Sequence, residues 1–484
     1  MNRINTAVFF SALGQYATQI ITFSSTVVLA RILSPSEIGM YSIAGVTIMI
    51  AGELRSFGIS HYLVREQKLD REKIQTVLGL AIGISWFLGL TIIAAAPFIA
   101  NFYNQPPIKL LLWIMSVSFF IGPFVSVPVG LWTREMNFKP IFTRTFIGAI
   151  VGGASSITLI LLGYSYYGLA IGYVLGLTSE LIFTIVSRPE NSVWVPKFKR
   201  IPGLLKFGFY ISLTGMFFRF SEGVPDLVIG RFNPVASVGI FSRGFGAILF
   251  IKNLLENAVG PVVMPHLSEV NRSGGSVAEA YLKAINLLVV IIWPLMAVAS
   301  AAAYPMINFL FGSQWNLSVT LTSILALWAI LTYANYFGDS ALIAVKQEKL
   351  MFQISLATYI FRLIVVIIGA TESLEYVAWA MVISGVFDAI IYIWALKKAI
   401  DLKLKDLWFT VCPNLVIASC CWLVTKLLDH IIVFESHSAF YSIAIIAPTL
   451  FIVWLVLLFA LKHTAIDVLL SLFPGIARRF RKKS

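Results

Sequence analysis

LARILSPSEIGMYS, residues Leu29–Ser42, has a second copy further along the chain. Val228–Ser242 reads VIGRFNPVASVGIFS. At a shift of 200 positions Val28 falls on Val228, Arg31 on Arg231, Gly39 on Gly239, Tyr41 on Phe241 and Ser42 on Ser242. Each copy carries a proline, Pro35 or Pro234, and then the glycine. These residues are expected to end one helix and let the chain turn into the next. Whether the echo reflects a repeated architecture depends on what surrounds each copy.

Both copies lie between long apolar blocks. The chain has 484 residues, 58% hydrophobic and 12% charged, against roughly 25% charged in soluble proteins. The blocks run to about 20 residues with little charge, the length that spans a hydrocarbon layer as a helix. Helices satisfy every backbone group internally, and the short alternating segments of a membrane barrel are missing. Fourteen spans are expected, near 5–32, 38–58, 75–97, 109–131, 142–163, 168–187, 206–230, 237–262, 283–304, 318–343, 352–370, 376–396, 408–428 and 439–461. The first, opening on Arg3, is read as a span and not as a removed signal peptide.

The net charge of +13 is spread in short clusters between spans. That is the pattern of positive cytoplasmic loops, and it excludes a nucleic-acid partner. With the N-terminus cytoplasmic, the opposite side holds only Arg31, Lys109 and Arg231 of the 36 lysines and arginines. Both termini are therefore expected in the cytoplasm. The two copies of the motif then close the first span of two successive six-span units of equal orientation, related by an axis along the membrane normal. The expected fold is all-α and polytopic, with about fourteen transmembrane helices. Two six-helix lobes, 1–200 and 201–405, would flank a central cleft. Residues 406–484 would add two helices and a basic tail that meets anionic phospholipids.

The two copies, with REMNFK at Arg134–Lys139, GIFSR at Gly239–Arg243 and PVVMPHLSEV…AYLKAI at Pro261–Ile285, resemble the polysaccharide transporter family. This family belongs to the multidrug/oligosaccharidyl-lipid/polysaccharide exporter superfamily, and REMNFK is similar to its colanic-acid-exporter-like branch. The resemblance covers the first twelve spans. It implies movement of undecaprenyl-diphosphate-linked oligosaccharide from the inner to the outer leaflet of the cell inner membrane, feeding a polysaccharide polymerase machinery that makes lipopolysaccharide or exopolysaccharide. It implies no cofactor.

Ionisable residues inside spans are expensive and mark sites. Arg219, Glu222 and Asp226 share one face of span seven, beside Pro225, which is expected to break that helix. Arg243, Lys252 and Glu256 lie in span eight, and Asp339, Arg362 and Asp388 in spans ten to twelve. Arg219, Arg243, Lys252 and Arg362 are expected to hold a diphosphate, since arginine forks match phosphate oxygens. Glu222, Asp226, Glu256, Asp339 and Asp388 would couple to H+ or Na+ or balance the cations. The plainer alternatives are intrahelical pairs, Arg219–Glu222 and Lys252–Glu256, and a snorkelling Arg243. The related lipid II flippases place arginines in the first-lobe cavity. Here the first six spans are read as carrying only Glu53 and Glu180, both near the cytoplasmic ends, and span one has no cation between Arg3 and Arg31. This departure weighs against lipid II as substrate. Gln15, Thr18, Gln19, Thr22, Ser25 and Thr26 would meet sugar hydroxyls or bridge helices.

Gly168/Gly172/Gly176, Gly148/Gly152 and Gly79/Gly83 are expected to be close helix contacts. Cys412, Cys420 and Cys421 read as small buried hydrophobes, and no metal-ligand spacing appears. No nucleophile–base pair or catalytic outer loop is visible, so an enzyme is not expected. The competing function is a cation-coupled drug exporter, which would need an acidic cluster in the first lobe.

Overall fold

Ser34 and Glu37 cap the start of a helix reciprocally. The Ser34 amide donates to Glu37 Oε2 (2.8 Å) and the Glu37 amide to Ser34 Oγ (3.4 Å), a capping box with Pro35 at the first helical position. This turn joins α1 (Arg3–Ile32) to α2 (Pro35–Ser56). In this computed structural model, which describes residues 3–56, 59–66, 69–198 and 204–466, all regular structure among the described residues is helical. After the short α3 (Ile59–Arg65) come α4 (Arg71–Phe102), α5 (Pro107–Arg134), α6 (Phe138–Leu159) and α7 (Ser165–Val186). They are followed by α8 (Leu204–Phe232), α9 (Val235–Arg272), α10 (Val277–Ala301) and the short α11 (Ala303–Leu310). Then come α12 (Leu317–Tyr333), α13 (Gly338–Ala344), α14 (Glu348–Glu372), α15 (Leu374–Ile400), α16 (Leu404–Ile432) and α17 (Ala439–Ala460).

Eleven stretches are long and apolar enough to cross a membrane, one of which, Phe138–Val186, holds both α6 and α7. α1 and α8, at 30 and 29 residues, also have the length. Each of the fourteen expected spans falls on one of these helices, or on the pair α12–α13. The protein is an all-α polytopic membrane protein. Its basic tail lies outside the described residues.

The chain divides into two compact units, Met1–Ser242 and Arg243–Ser484. The first includes α8 and the opening turns of α9, so both copies of the repeated motif belong to it. There they pack on each other. A Cβ placed on Gly39 would run into the Val235 carbonyl and lie 3.1 Å from the Gly239 nitrogen. A Cβ on Gly239 would run into the Pro35 carbonyl and lie 3.1 Å from the Gly39 nitrogen. Ser42 Oγ donates to Ser242 Oγ (3.1 Å). Each residue meets its own counterpart, as at a two-fold axis. The glycines therefore do not end helices, as expected from sequence; they sit inside α2 and α9 and remove the Cβ where the two backbones cross.

The paired-glycine steps are confirmed between α6 and α7, where a Cβ on Gly172 or Gly176 would come within 2.8 Å of the Gly152 or Gly148 carbonyl. The Gly79/Gly83 step is not a helix contact. Gly79 lies against the Lys197 backbone, whose amide donates to the Gln75 carbonyl (2.9 Å), and Gly83 faces open space. Pro225 does not break its helix either: α8 continues through it. In α1, Ser25 packs onto Gly153 of α6, so this polar residue bridges helices.

In the second unit a polar clamp ties α10, α16 and the turn after α17 together. Asn414 Nδ2 donates to Asn286 Oδ1 (2.7 Å), Asn286 Nδ2 donates to Thr464 Oγ1 (2.9 Å), and His463 Nε2 lies 3.1 Å from Asn286 Oδ1. His463 Nδ1 accepts the Ala465 amide (3.1 Å), so the ring serves the clamp as its neutral Nε2–H tautomer. Burial holds this histidine below its ordinary value of 6.5. The unfolded chain then binds more protons than the folded one, and stability falls as pH drops through this range. Thermal melting from neutral pH to about 5 should therefore destabilise the wild type more than His463→Gln. Equal slopes would remove His463 as a titrating contributor.

Candidate functional site

α2, α6, α7 and α8 bring six charged side chains of the first unit into one region. Arg219, on α8, donates from Nε to Glu53 Oε1 on α2 (2.9 Å) and from Nη1 to Glu222 Oε2 one turn along its own helix (3.0 Å). Arg144 of α6 pairs with Glu180 of α7, their side chains 12% and 16% exposed. Arg55 of α2 interacts electrostatically with both Glu53 and Glu180. Its Nη1 donates to the Ser118 carbonyl (2.8 Å) and its guanidinium stands over the Phe119 ring. Opposite charges thus alternate from Arg144 through Glu180, Arg55, Glu53 and Arg219 to Glu222.

Glycines make the room. A Cβ on Gly122 would lie 2.7 Å from Arg55 Nη1, one on Gly148 2.6 Å from Glu180 Cγ, and one on Gly215 2.9 Å from Glu53 Oε2. Arg219 is the most open of the arginines in these pairs, with 39% of its side chain exposed. Its two carboxylate partners lie on different helices, α2 and α8. A guanidinium shared this way can exchange either partner for a phosphate oxygen without being left unpaired.

The second unit buries a tighter pair. Arg362 Nη2 donates to Asp388 Oδ2 (2.7 Å) and its Nε to Ser384 Oγ (3.3 Å), with Trp328 under the guanidinium. Beside it the tenth span is broken: α12 stops at Tyr333 and α13 starts at Gly338. In the gap Asn335 reaches the Asp388 carbonyl (3.4 Å). Irregular backbone at such a depth is tolerated only where protein or a cavity surrounds it. With both side chains about nine-tenths enclosed, removing one partner strands a charge. Arg362→Met or Asp388→Leu alone should cost about 3–5 kcal/mol, read as melting temperature in detergent. The double substitution should recover most of the loss.

Among the expected residues, then, Arg219 and Glu222 stand together, and so do Arg362 and Asp388. Asp339 accepts from Tyr392 Oη (2.6 Å), one turn along α15 from Asp388. Asp226 and Lys252 are half-buried on α8 and α9. Arg243 lies at about 6 Å from the Phe311 and Trp315 rings. The Glu256 side chain lies outside the described residues. Reasoning from sequence missed Arg55 and Arg144, which it counted only among the cations of the cytoplasmic side, and it gave Glu53 and Glu180 no role. The first unit is therefore not devoid of buried cations, and the argument against lipid II drawn from their absence does not hold. The signal was present: Arg144 lies six residues inside a helix, about 9 Å along it, and Gly148 follows it one turn later.

An all-helical, polytopic architecture with alternating opposite charges on α2, α6, α7 and α8 fits a multi-pass membrane transporter. The chain belongs to the polysaccharide biosynthesis protein family, whose profile matches residues 28–320. It is 26% identical over 451 residues to the succinoglycan biosynthesis transport protein ExoT of Rhizobium meliloti (strain 1021), covering 91% of this chain and 89% of that protein. It is 21% identical to the teichuronic acid biosynthesis protein TuaB of Bacillus subtilis (strain 168), covering 72% and 73%. Its fold is that of the lipid II flippase MurJ in an inward closed conformation, with a TM-score of 0.76 at 17% identity over 95% of this chain and all of that one.

Proposed function

We propose that this protein flips a lipid-linked oligosaccharide, carried on undecaprenyl diphosphate, from the cytoplasmic to the outer leaflet of the plasma membrane by alternating access. Both termini lie in the cytoplasm, and the delivered repeat feeds surface polysaccharide synthesis. The observation that carries this reading is Arg219, shared between Glu53 of α2 and Glu222 of α8. An incoming diphosphate competes with these carboxylates for the guanidinium fork. Winning it releases Glu53 and loosens α2 from α8. A proton or sodium ion taken up by the freed carboxylates balances the charge and couples transport to an ion gradient.

The test is a strain lacking the gene. Lipid-linked oligosaccharide should accumulate in the inner leaflet and surface polymer should disappear, both reversed by the intact gene. Intact polymer with no accumulation would overturn the reading and favour small-molecule export.

A further inference from the structure

The second unit holds a cavity of about 650 Å³ that the transport reading does not use. It lies where α10 and α16 end and α12 begins. All three are spans, so the cavity opens at a membrane surface, the level of lipid headgroups. Its wall carries both signs of charge: Lys426, Asp429 and Glu435, with Tyr304, Ser323 and His430 between them. Asp429 is already engaged, accepting the Phe434 amide (3.2 Å) and standing 3.9 Å from Lys426 Nζ. A pair that long and that exposed is weak, so the ammonium remains available. Among the described residues nothing pairs with the Glu435 carboxylate.

The chemistry below the cavity is different. One turn down α16 from Lys426, on the same face, Trp422 is 38% exposed, and Leu423 and Leu427 beside it are more so. A polar pocket above an apolar helix surface suits an amphiphile. The carboxyl ends of α10 and α16 reinforce Asp429 and Glu435, and the amino end of α12 reinforces Lys426. The two poles call for a headgroup that is itself dipolar. Lys426, Asp429 and Glu435 sum to one negative charge, which disfavours an anionic lipid.

We propose that this cavity binds phosphatidylethanolamine, its phosphate toward Lys426 and its ammonium donating to Glu435, with an acyl chain along Trp422. The lipid ties α16 to α10 and α12 at that end of the unit. The test is native mass spectrometry of the purified full-length protein in detergent. It is titrated with phosphatidylethanolamine, phosphatidylglycerol or phosphatidylcholine of the same acyl chains. Phosphatidylethanolamine should bind about tenfold more tightly than either, the worth of one charged hydrogen bond. Glu435→Gln should abolish that preference, whereas Lys426→Ala should weaken all three lipids and leave the preference over phosphatidylcholine in place. Both residues are exposed, and an unchanged melting temperature without lipid confirms that the variants fold. Equal binding of phosphatidylglycerol or phosphatidylcholine, an undiminished preference in Glu435→Gln, or unchanged affinity in Lys426→Ala overturns the proposal.

Discussion

Arg219→Ala, expressed at normal level in the deletion strain, should restore no surface polysaccharide and leave lipid-linked oligosaccharide at the level of the deletion. The expectation separates function from folding by magnitude. Arg219 is more than a third exposed, so its two ion pairs contribute about 1 kcal/mol or less to the fold once screened by solvent. That is small against a stability of roughly 5–15 kcal/mol. Transport loses more, because Arg219 is the group on α8 that pairs with Glu53 among the described residues and presents a fork to an incoming diphosphate. Arg219→Lys keeps the charge as a single point and gives up the fork, so it should fall between alanine and wild type. The decisive variant is the exchange Glu53→Arg with Arg219→Glu. It rebuilds an ion pair between α2 and α8 but moves the cation to the wrong helix. If Arg219 binds substrate, the exchange restores melting temperature and not export. Recovery of export would show that only the pairing matters.

The spans were legible in the sequence because they rest on apolar length, and the correspondence of the two motif copies because the same residues recur in both. What was not legible was which charges meet. Arg55 and Arg144 fall within three residues of the ends of their expected spans, 38–58 and 142–163, and so read as cytoplasmic-end cations. Inside the fold they have partners instead: Glu180 neutralises Arg144, and the Ser118 carbonyl accepts from Arg55. Sequence spacing showed the pair on one helix, Arg219–Glu222. It contained nothing to reveal Glu53, 166 residues away, as the other partner. Gly39 and Gly239 were misread for a related reason. A glycine near a proline suggests a turn, whereas here the glycine answers to a second helix, and that pressure is visible only in three dimensions. Pro225 failed as a helix breaker because α2 packs against α8 on both sides of it, at Gly215, Gly223 and Gly230, and tertiary packing outweighs one lost hydrogen bond.

The crossing of the two repeated motifs gives the sharpest test of alternating access. Ser42 and Ser242 approach to 3.1 Å through their hydroxyls, and cysteines there would need only a short adjustment to reach disulfide geometry. With Cys412, Cys420 and Cys421 replaced by serine, Ser42→Cys and Ser242→Cys together should crosslink on oxidation, seen as a linked peptide by mass spectrometry. Export should stop and resume on reduction, and neither single cysteine should have an effect. The reason lies in the glycines: with no Cβ at Gly39 or Gly239, α2 and α9 are in backbone contact, and a passage opening at this end must part them. Gly39→Val attacks the same contact without a crosslink. Its side chain meets the Val235 backbone, which cannot rotate away. It should cost about 1–3 kcal/mol or more, read as lower melting temperature and yield, and Gly239→Val should do the same through Pro35. If the locked protein exports at the wild-type rate while the valine variants are destabilised, the crossing is a structural joint and not a gate. The passage must then open elsewhere, with Arg219 acting at a joint that never parts.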